Sequence, residues 1–220
     1  MKNKDIFISD NSIAIELIKQ YTYPYEVLPN IHDYILELGD RLDTNYVRKG
    51  TNIWIHNTAI VDDDVKIIGP CIVDAFATLR HSAYIRGNVI IGKNSTIGNS
   101  CEIKNSIIFD NCSVPHFNYV GDSILGDHVH ISAGVITSNV KIDKKLVTIK
   151  YNDEVIETDL RKVGAFIGDN VEIGCNTVLN PGTIIKYNTI VYPLLSIRGV
   201  IESNMIVKSI DNIVRRDSNE

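Results

Sequence analysis

No stretch of this sequence is apolar for long enough to cross a membrane, and its N-terminus, MKNKDIFISDNS, lacks the apolar core of a secretory signal. A cytoplasmic protein is expected. A basic face is missing too. The formal net charge is −5, from 22 Lys and Arg against 27 Asp and Glu, with no long block of one sign, which argues against nucleic acid as a main partner. The four cysteines, Cys71, Cys101, Cys112 and Cys175, show neither C-x-x-C spacing nor a short secreted context, so free thiols are expected. What remains is a chain of 220 residues, 44% apolar, a size that suits one domain or one domain with a small appendage.

What is present is a repeat. Stepping by six from Ile55 gives Val61, Ile67, Val73, Leu79, Ile85, Ile91, Ile97, Ile103 and Phe109, all aliphatic or aromatic. Four residues after each rung stands a small or β-branched residue, Ala59 and Val65 through Ile107 and Ser113, with Cys71 and Cys101 among them as structural residues. Helices repeat at 3.6 and half-buried strands at 2, so neither explains this. A period of six fits a short strand that turns a corner at fixed length, with the large residue inside and the small one at the corner. Asn and Gly fill many outer positions, as in IGKNST and IGDNVE, and both tolerate the left-handed backbone of tight corners. The ladder returns in another phase at Leu125 and Ile131, and again from Ile167 to Ile197. The slip falls between Ser113 and Leu125 and brackets His116, which is expected to lift PHFNYVGD out of the wall toward a ligand.

Three segments lie outside the ladder. Residues 1–52 contain two helix-like stretches, the second with Ile31, Tyr34, Ile35 and Leu38 on one face and Asn30 as N-cap, expected to cover the open first coil. Residues 138–163 interrupt the repeat and then restore it, so they form an extruded loop or hairpin. Residues 206–220 read as a short C-terminal helix with a frayed end.

The ladder over residues 53–205 resembles the hexapeptide repeat of left-handed parallel β-helices, at 18 residues per coil and about six coils; the fold class this implies is all-β, and the left hand comes from the resemblance. A longer motif set resembles one family more closely. E-I-K at Glu102, H-x-x-Y-x-G-D at His116, I-x-A-G-x-I-T-x-N at Ile131 and a lysine six residues after Asn139 are similar to the acetyltransferase domain of the bacterial N-acetylglucosamine-1-phosphate uridyltransferases/glucosamine-1-phosphate acetyltransferases. The resemblance implies a CoA-dependent N-acyltransferase that works as a homotrimer with sites between subunits and needs no metal. His116 would be the general base, a role that suits imidazole because its ordinary pKa lies near neutrality. Lys104 and Lys145 would hold phosphate, Tyr119 and Asn139 would position an amino sugar phosphate or nucleotide sugar, and Ala133 and Cys175 would contact acetyl-CoA or another acyl-CoA through their backbone. The family's phosphate arginine is Arg86 by stacking, one coil before Lys104, or Arg80 by local sequence.

Some positions depart from the family. His130 stands where an Asn is expected and Ser132 where a Gly is expected, and TSNVKID replaces the family's loop sequence beside Asn139. Residues 1–52 carry no L-x-x-G-x-G-T-R loop, so a pyrophosphorylase activity is not expected of this chain. Two other classes stay open. One is a non-catalytic β-helix subunit that binds a sugar nucleotide. The other is a metal-dependent, carbonic-anhydrase-like β-helix using His81 and His116, although Gly121 stands where a third histidine is wanted and His128 and His130 come too late.

Overall fold

The computed structural model describes residues 1–216; the last four residues of the tail read as helical lie outside the described residues. The chain winds through three walls of short strands, a parallel β-solenoid. The first wall begins with Ile53–His56 and Cys71–Val73, the second with Ile60–Val61 and Thr78–Leu79, the third with Lys66–Ile68 and Tyr84–Arg86. Among the described residues the walls hold nine, nine and seven strands, and pairing within them is parallel except at two edges, where Tyr46–Arg48 and Asn212–Arg215 run antiparallel to their neighbours. Seven strands in the third wall mean at least seven coils, more than the six expected.

The register also changes twice. Interior residues run Ile91, Ile97, Ile103, then Ile108, Val114, Val120, then Leu125 and Ile131. The steps to Ile108 and Leu125 are five residues instead of six, and Ile91, Ile108 and Leu125 are cross-strand partners in successive coils. Both slips fall at the corner between the third and first walls, at Lys104–Ser106 and Gly121–Ser123. The second slip lies inside the expected interval, Ser113 to Leu125, but His116 itself sits within a faithful six-residue step, and Ser113–His116 and Tyr119–Gly121 are wall strands, so the expectation that PHFNYVGD is lifted out of the wall is corrected. Phe109 is not an interior rung either: it faces outward and stacks on Phe7 at 5.3 Å. Most corners place one residue in the left-handed region, among them Asn88, Asn94, Asn105, Asn111 and Asp122, where Asn and Asp are the best tolerated after Gly.

The N-terminal helices Asn3–Ile6, Ile15–Gln20, Pro24–Val27 and Ile31–Gly39 lie along the outside of the first wall, not over the open coil. The physical reason is in that wall's strands. Val73, Ile91 and Ile108 face the interior, while Ile72, Ile90, Ile107, Ile124, Phe166 and Ile184 face out and form a second core with the helices. A wall apolar on both faces needs a cover on its outer side. Ile31, Tyr34 and Ile35 are buried as expected, and Asn30 is the N-cap, although its side-chain amide donates back to the Glu26 carbonyl. The amides of Ile8 and Ser9 donate to Asp169 at 2.6 and 2.7 Å, and the Ser9 hydroxyl to Asp127 at 2.9 Å, which pins the segment to the solenoid.

The C-terminal helix read from the sequence is instead a hairpin, Met205–Ser209 with Asn212–Arg215. Ile206 and Val207 pair with Ile190 and Val191 and extend the second wall, as β-branched residues beside an open edge favour. The segment 138–163 leaves and rejoins at the third-to-first corner and carries the antiparallel hairpin Thr148–Tyr151 with Glu154–Glu157. Among the described residues no helix is long and apolar enough to cross a membrane.

Candidate functional site

The outer face of the third wall carries the charged ladder. Glu102 pairs with Tyr84 and Ile103 with Ile85, so Arg86 and Lys104 stand one coil apart on one face, as the 18-residue spacing predicts. Neither cation is free of a carboxylate. Arg86 donates to Glu102 at 2.5 Å and lies over the Tyr84 ring at 5.8 Å, and the Glu102 carboxylate holds its guanidinium more firmly protonated than usual. Lys104 donates to Asp122 at 3.2 Å.

Asp122 is the hub of this corner. It is 4% exposed and sits at φ 49°, at the second shortened corner. Its carboxylate accepts from Lys104, from Asn105 Nδ2 at 2.9 Å and from Asn139 Nδ2 at 2.5 Å. Asn139 also donates to the Tyr119 hydroxyl at 3.1 Å. The ring of Tyr119 folds back over Gly121, where a Cβ would meet the hydroxyl at 2.5 Å. The Y-x-G-D part of the motif is thereby explained: the glycine leaves room for the phenol, and the aspartate gathers the donors around it. Burial raises the Tyr119 phenol above its ordinary value, and the Asn139 amide partly offsets this. Asn139 stands at the root of the extruded segment, where its carbonyl accepts from Val163 N at 3.0 Å.

His116 is exposed at the other edge of the same wall, where the second wall turns into the third. The third-wall strand Tyr119–Gly121 that separates His116 from the Asp122 corner is about 10 Å long, at roughly 3.3 Å per residue. His116, Ala133 and Cys175 form one corner column: Gly134 N donates to the His116 carbonyl at 3.0 Å, Asn176 N to the Ala133 carbonyl at 2.9 Å, and Leu194 N to the Cys175 carbonyl at 2.9 Å. The Phe117 ring lies beside the imidazole, with centroids 6.5 Å apart, and is itself exposed.

The chain therefore brings Lys104, Tyr119 and Asn139 together at one corner, with Arg86 one coil away, and stacks His116, Ala133 and Cys175 at the next. Lys145 stays apart on the exposed loop, where its backbone N–H bonds Asp143. Arg80 is exposed on the His116 corner, one hexapeptide before Arg86. His81 bonds Asp64 at 2.6 Å, His128 lies 3.0 Å from Asp127, and His130 is half-buried in the second wall. Among the described residues no cluster of three or more His, Cys, Asp or Glu is arranged to hold a metal. A cavity of about 590 Å³ opens between the extruded segment and the later coils, with Lys141, Lys150 and Arg198 in its lining and His116 outside it. The residue that sequence reasoning gave no role is Asp122. The signal was available in two forms: the acid that ends the motif, and an acid at a corner where the repeat otherwise favours Asn.

The comparisons with known proteins agree with the resemblance read from the motifs. The family model described as the GMPPB C-terminal domain matches residues 67–160, less than half of the chain. The bifunctional protein GlmU of Methanococcus maripaludis (strain C5) is 40% identical over 132 residues, 60% of this chain and 32% of that protein. The bifunctional sugar-1-phosphate nucleotidylyltransferase/acetyltransferase of Sulfurisphaera tokodaii is 33% identical over 181 residues, 73% of this chain and 45% of that protein. The chain thus spans a third to just under half of these relatives. Among solved structures, a hexapeptide transferase family protein from Anaplasma phagocytophilum is 13% identical with a TM-score of 0.43, covering 76% of this chain and 80% of that one.

Proposed function

We propose that this chain is a CoA-dependent N-acyltransferase that moves an acetyl or similar acyl group to the amine of a sugar phosphate or nucleotide sugar. The observation that carries the reading is the corner column, in which His116 stands in line with Ala133 and Cys175 and across one wall from the Tyr119–Asp122–Asn139 cluster. A thioester laid along the column would bring its carbonyl to the imidazole, and an amino sugar held at the cluster would approach from the same wall.

In this reading His116 takes a proton from the amine as the nitrogen attacks the thioester carbonyl carbon. The C–N bond forms, the C–S bond breaks, and the departing thiolate is protonated. The attack is direct, within a ternary complex, with no acyl-enzyme. Tyr119 and Asn139 orient the acceptor. Phosphate at Arg86 and Lys104 has to compete with Glu102 and Asp122, which makes acceptor binding sensitive to salt. The resemblance implies a homotrimer with sites between subunits, and in that arrangement Lys145 would serve a neighbouring subunit's site.

A second reading, a sugar-nucleotide-binding subunit without turnover, draws on His130 and Ser132, which replace the asparagine and glycine of the resembled motif. Mass spectrometry of acetyl-CoA mixed with amino sugar phosphates and nucleotide amino sugars decides between them. An acylated acceptor supports transfer. Protein that is trimeric and binds an acceptor but never acylates one supports the binding subunit.

A further inference from the structure

Phe117 directly follows His116 and is unlike the rest of its corner. It stands in the left-handed region at φ 54°, where a bulky side chain is an outlier and where the solenoid's corners mostly place Asn, Asp, Ser or Gly. Among the described residues only Phe76 and Leu194 are other apolar side chains so placed, and neither adjoins His116. Phe117 is also 64% exposed, so burial does not offset the strain. The backbone around it is held on both sides. Phe117 N donates to the Asn99 carbonyl at 3.0 Å, and the next residue, Asn118, is 2% exposed with its Oδ1 accepting from Val135 N at 2.8 Å. Strain of this kind persists where the surroundings over-determine it, and it gathers at functional sites.

The place of the ring adds to this. The left-handed residues of the His116 column are Ser82, Ser100, Phe117, Gly134, Asn176 and Leu194, tied coil to coil by the same backbone bond. The steps on either side of Phe117 are small. Ser100 and Ser82 stand in the earlier coils, and Gly134 stands in the next, where a Cβ would strike the Asn176 side chain. Successive coils are about 4.8 Å apart. A thioester laid from Cys175 past Ala133 to His116 has its carbonyl at the imidazole, so the rest of its acyl group is carried on toward Ser100. The Phe117 ring stands at that step, with its centroid 6.5 Å from that of the imidazole.

We propose that Phe117 is the stop that limits the donor to a two-carbon acyl group, an inference that rests on the acyltransferase reading above. The ring packs on the acetyl methyl and closes the column to a longer chain, which would otherwise continue over Ser100. The bonds made and broken in the transfer are unchanged, and Phe117 takes no part in moving the proton.

The test is calorimetric titration of the full chain with CoA, acetyl-CoA and butyryl-CoA, which needs no knowledge of the acceptor. Wild type is expected to bind butyryl-CoA at least about tenfold more weakly than acetyl-CoA, since a packed site discriminates by that much or more per added methylene. Phe117→Gly suits a positive φ and opens the step, so it is expected to bring the two thioesters to within about threefold of each other. Phe117→Leu keeps a bulky side chain, which the same region admits at Leu194, and is expected to keep the discrimination. Equal affinity of wild type for the two thioesters overturns the proposal, as does discrimination that survives in Phe117→Gly or is lost equally in Phe117→Leu. A changed oligomeric state in Phe117→Gly, read by light scattering, also overturns it, because the ring would then be packing a neighbouring chain. Absence of binding by CoA and both thioesters to wild type would instead sink the acyltransferase reading itself, and the stop with it.

Discussion

Replacing Asp122 by alanine tests whether this corner is a built site or an incidental contact. The substitution removes the acceptor for Lys104, Asn105 and Asn139 at once. Truncating one partner of a buried, hydrogen-bonded pair costs about 3–5 kcal/mol. The Lys104 side chain is 23% exposed and can recover some hydration, and both asparagines are half-buried, so the expected cost lies at the low end, about 3 kcal/mol. With an m-value of roughly 3 kcal/mol/M, the urea midpoint falls by about 1 M. Urea titration followed by circular dichroism reads this directly. A double-mutant cycle with Lys104→Met isolates the ion pair, for which about 1–2 kcal/mol of coupling is expected. An Asp122→Ala protein within about 0.5 kcal/mol of wild type would refute the reasoning, since that is the scatter of ordinary surface substitutions.

Other outcomes follow from the same geometry. Burial, with help from the Asp74 and Asp127 charges, pushes the Asp110 carboxyl up to about 6 against an ordinary 3.8. The folded state then holds a proton that the unfolded chain releases, so the contribution of Asp110 to stability is fullest below pH 3.8 and is lost as pH rises through about 6. Asp110→Asn is accordingly expected to gain about 1–2 kcal/mol at pH 7.5 and nothing at pH 3.5, read by urea titration at both. Gly121→Ala forces the Tyr119 hydroxyl off its seat, yet the obstacle is the end of a movable side chain; acyl transfer should drop about tenfold while the melting temperature moves by a few degrees at most. Arg86→Ala is expected to raise KM for a phosphorylated acceptor about tenfold with little change in kcat, and an unchanged KM in steady-state kinetics would remove Arg86 from the phosphate site.

The three-walled architecture was legible because each corner consumes a fixed length, which makes a period of six visible over eight true steps from Ile55 to Ile103. The register changes were not, and the reason is specific. Ile107, Ile108 and Phe109 are consecutive and all buried, so either phase finds an apolar residue there. The apolar triplets Cys71–Val73, Val89–Ile91 and Ala165–Ile167 in the first wall were the overlooked sign of burial on both faces, and hence of helices along its flank. The C-terminal tail was misread because a short apolar run beside a polar one suits either a helix or a strand, and only the open edge of the second wall decides. For the site, the resemblance grouped Tyr119 with Asn139, and spacing placed Arg86 one coil from Lys104. It could not reveal that Asp122 and Glu102 already hold the two cations, because side-chain pairing across a corner has no sequence period.

The central claim is that His116 removes the proton from an attacking amine. The direct measurement is the rate of thiol release from acetyl-CoA at saturating acceptor, for wild type and His116→Ala, in preparations shown to have the same oligomeric state and melting temperature. Removal of a general base is expected to lower the rate by about 10²–10⁴-fold with little change in acceptor affinity. Acceptor-dependent release at an unchanged rate in His116→Ala would contradict the account and leave His116 as an exposed residue at a regular corner.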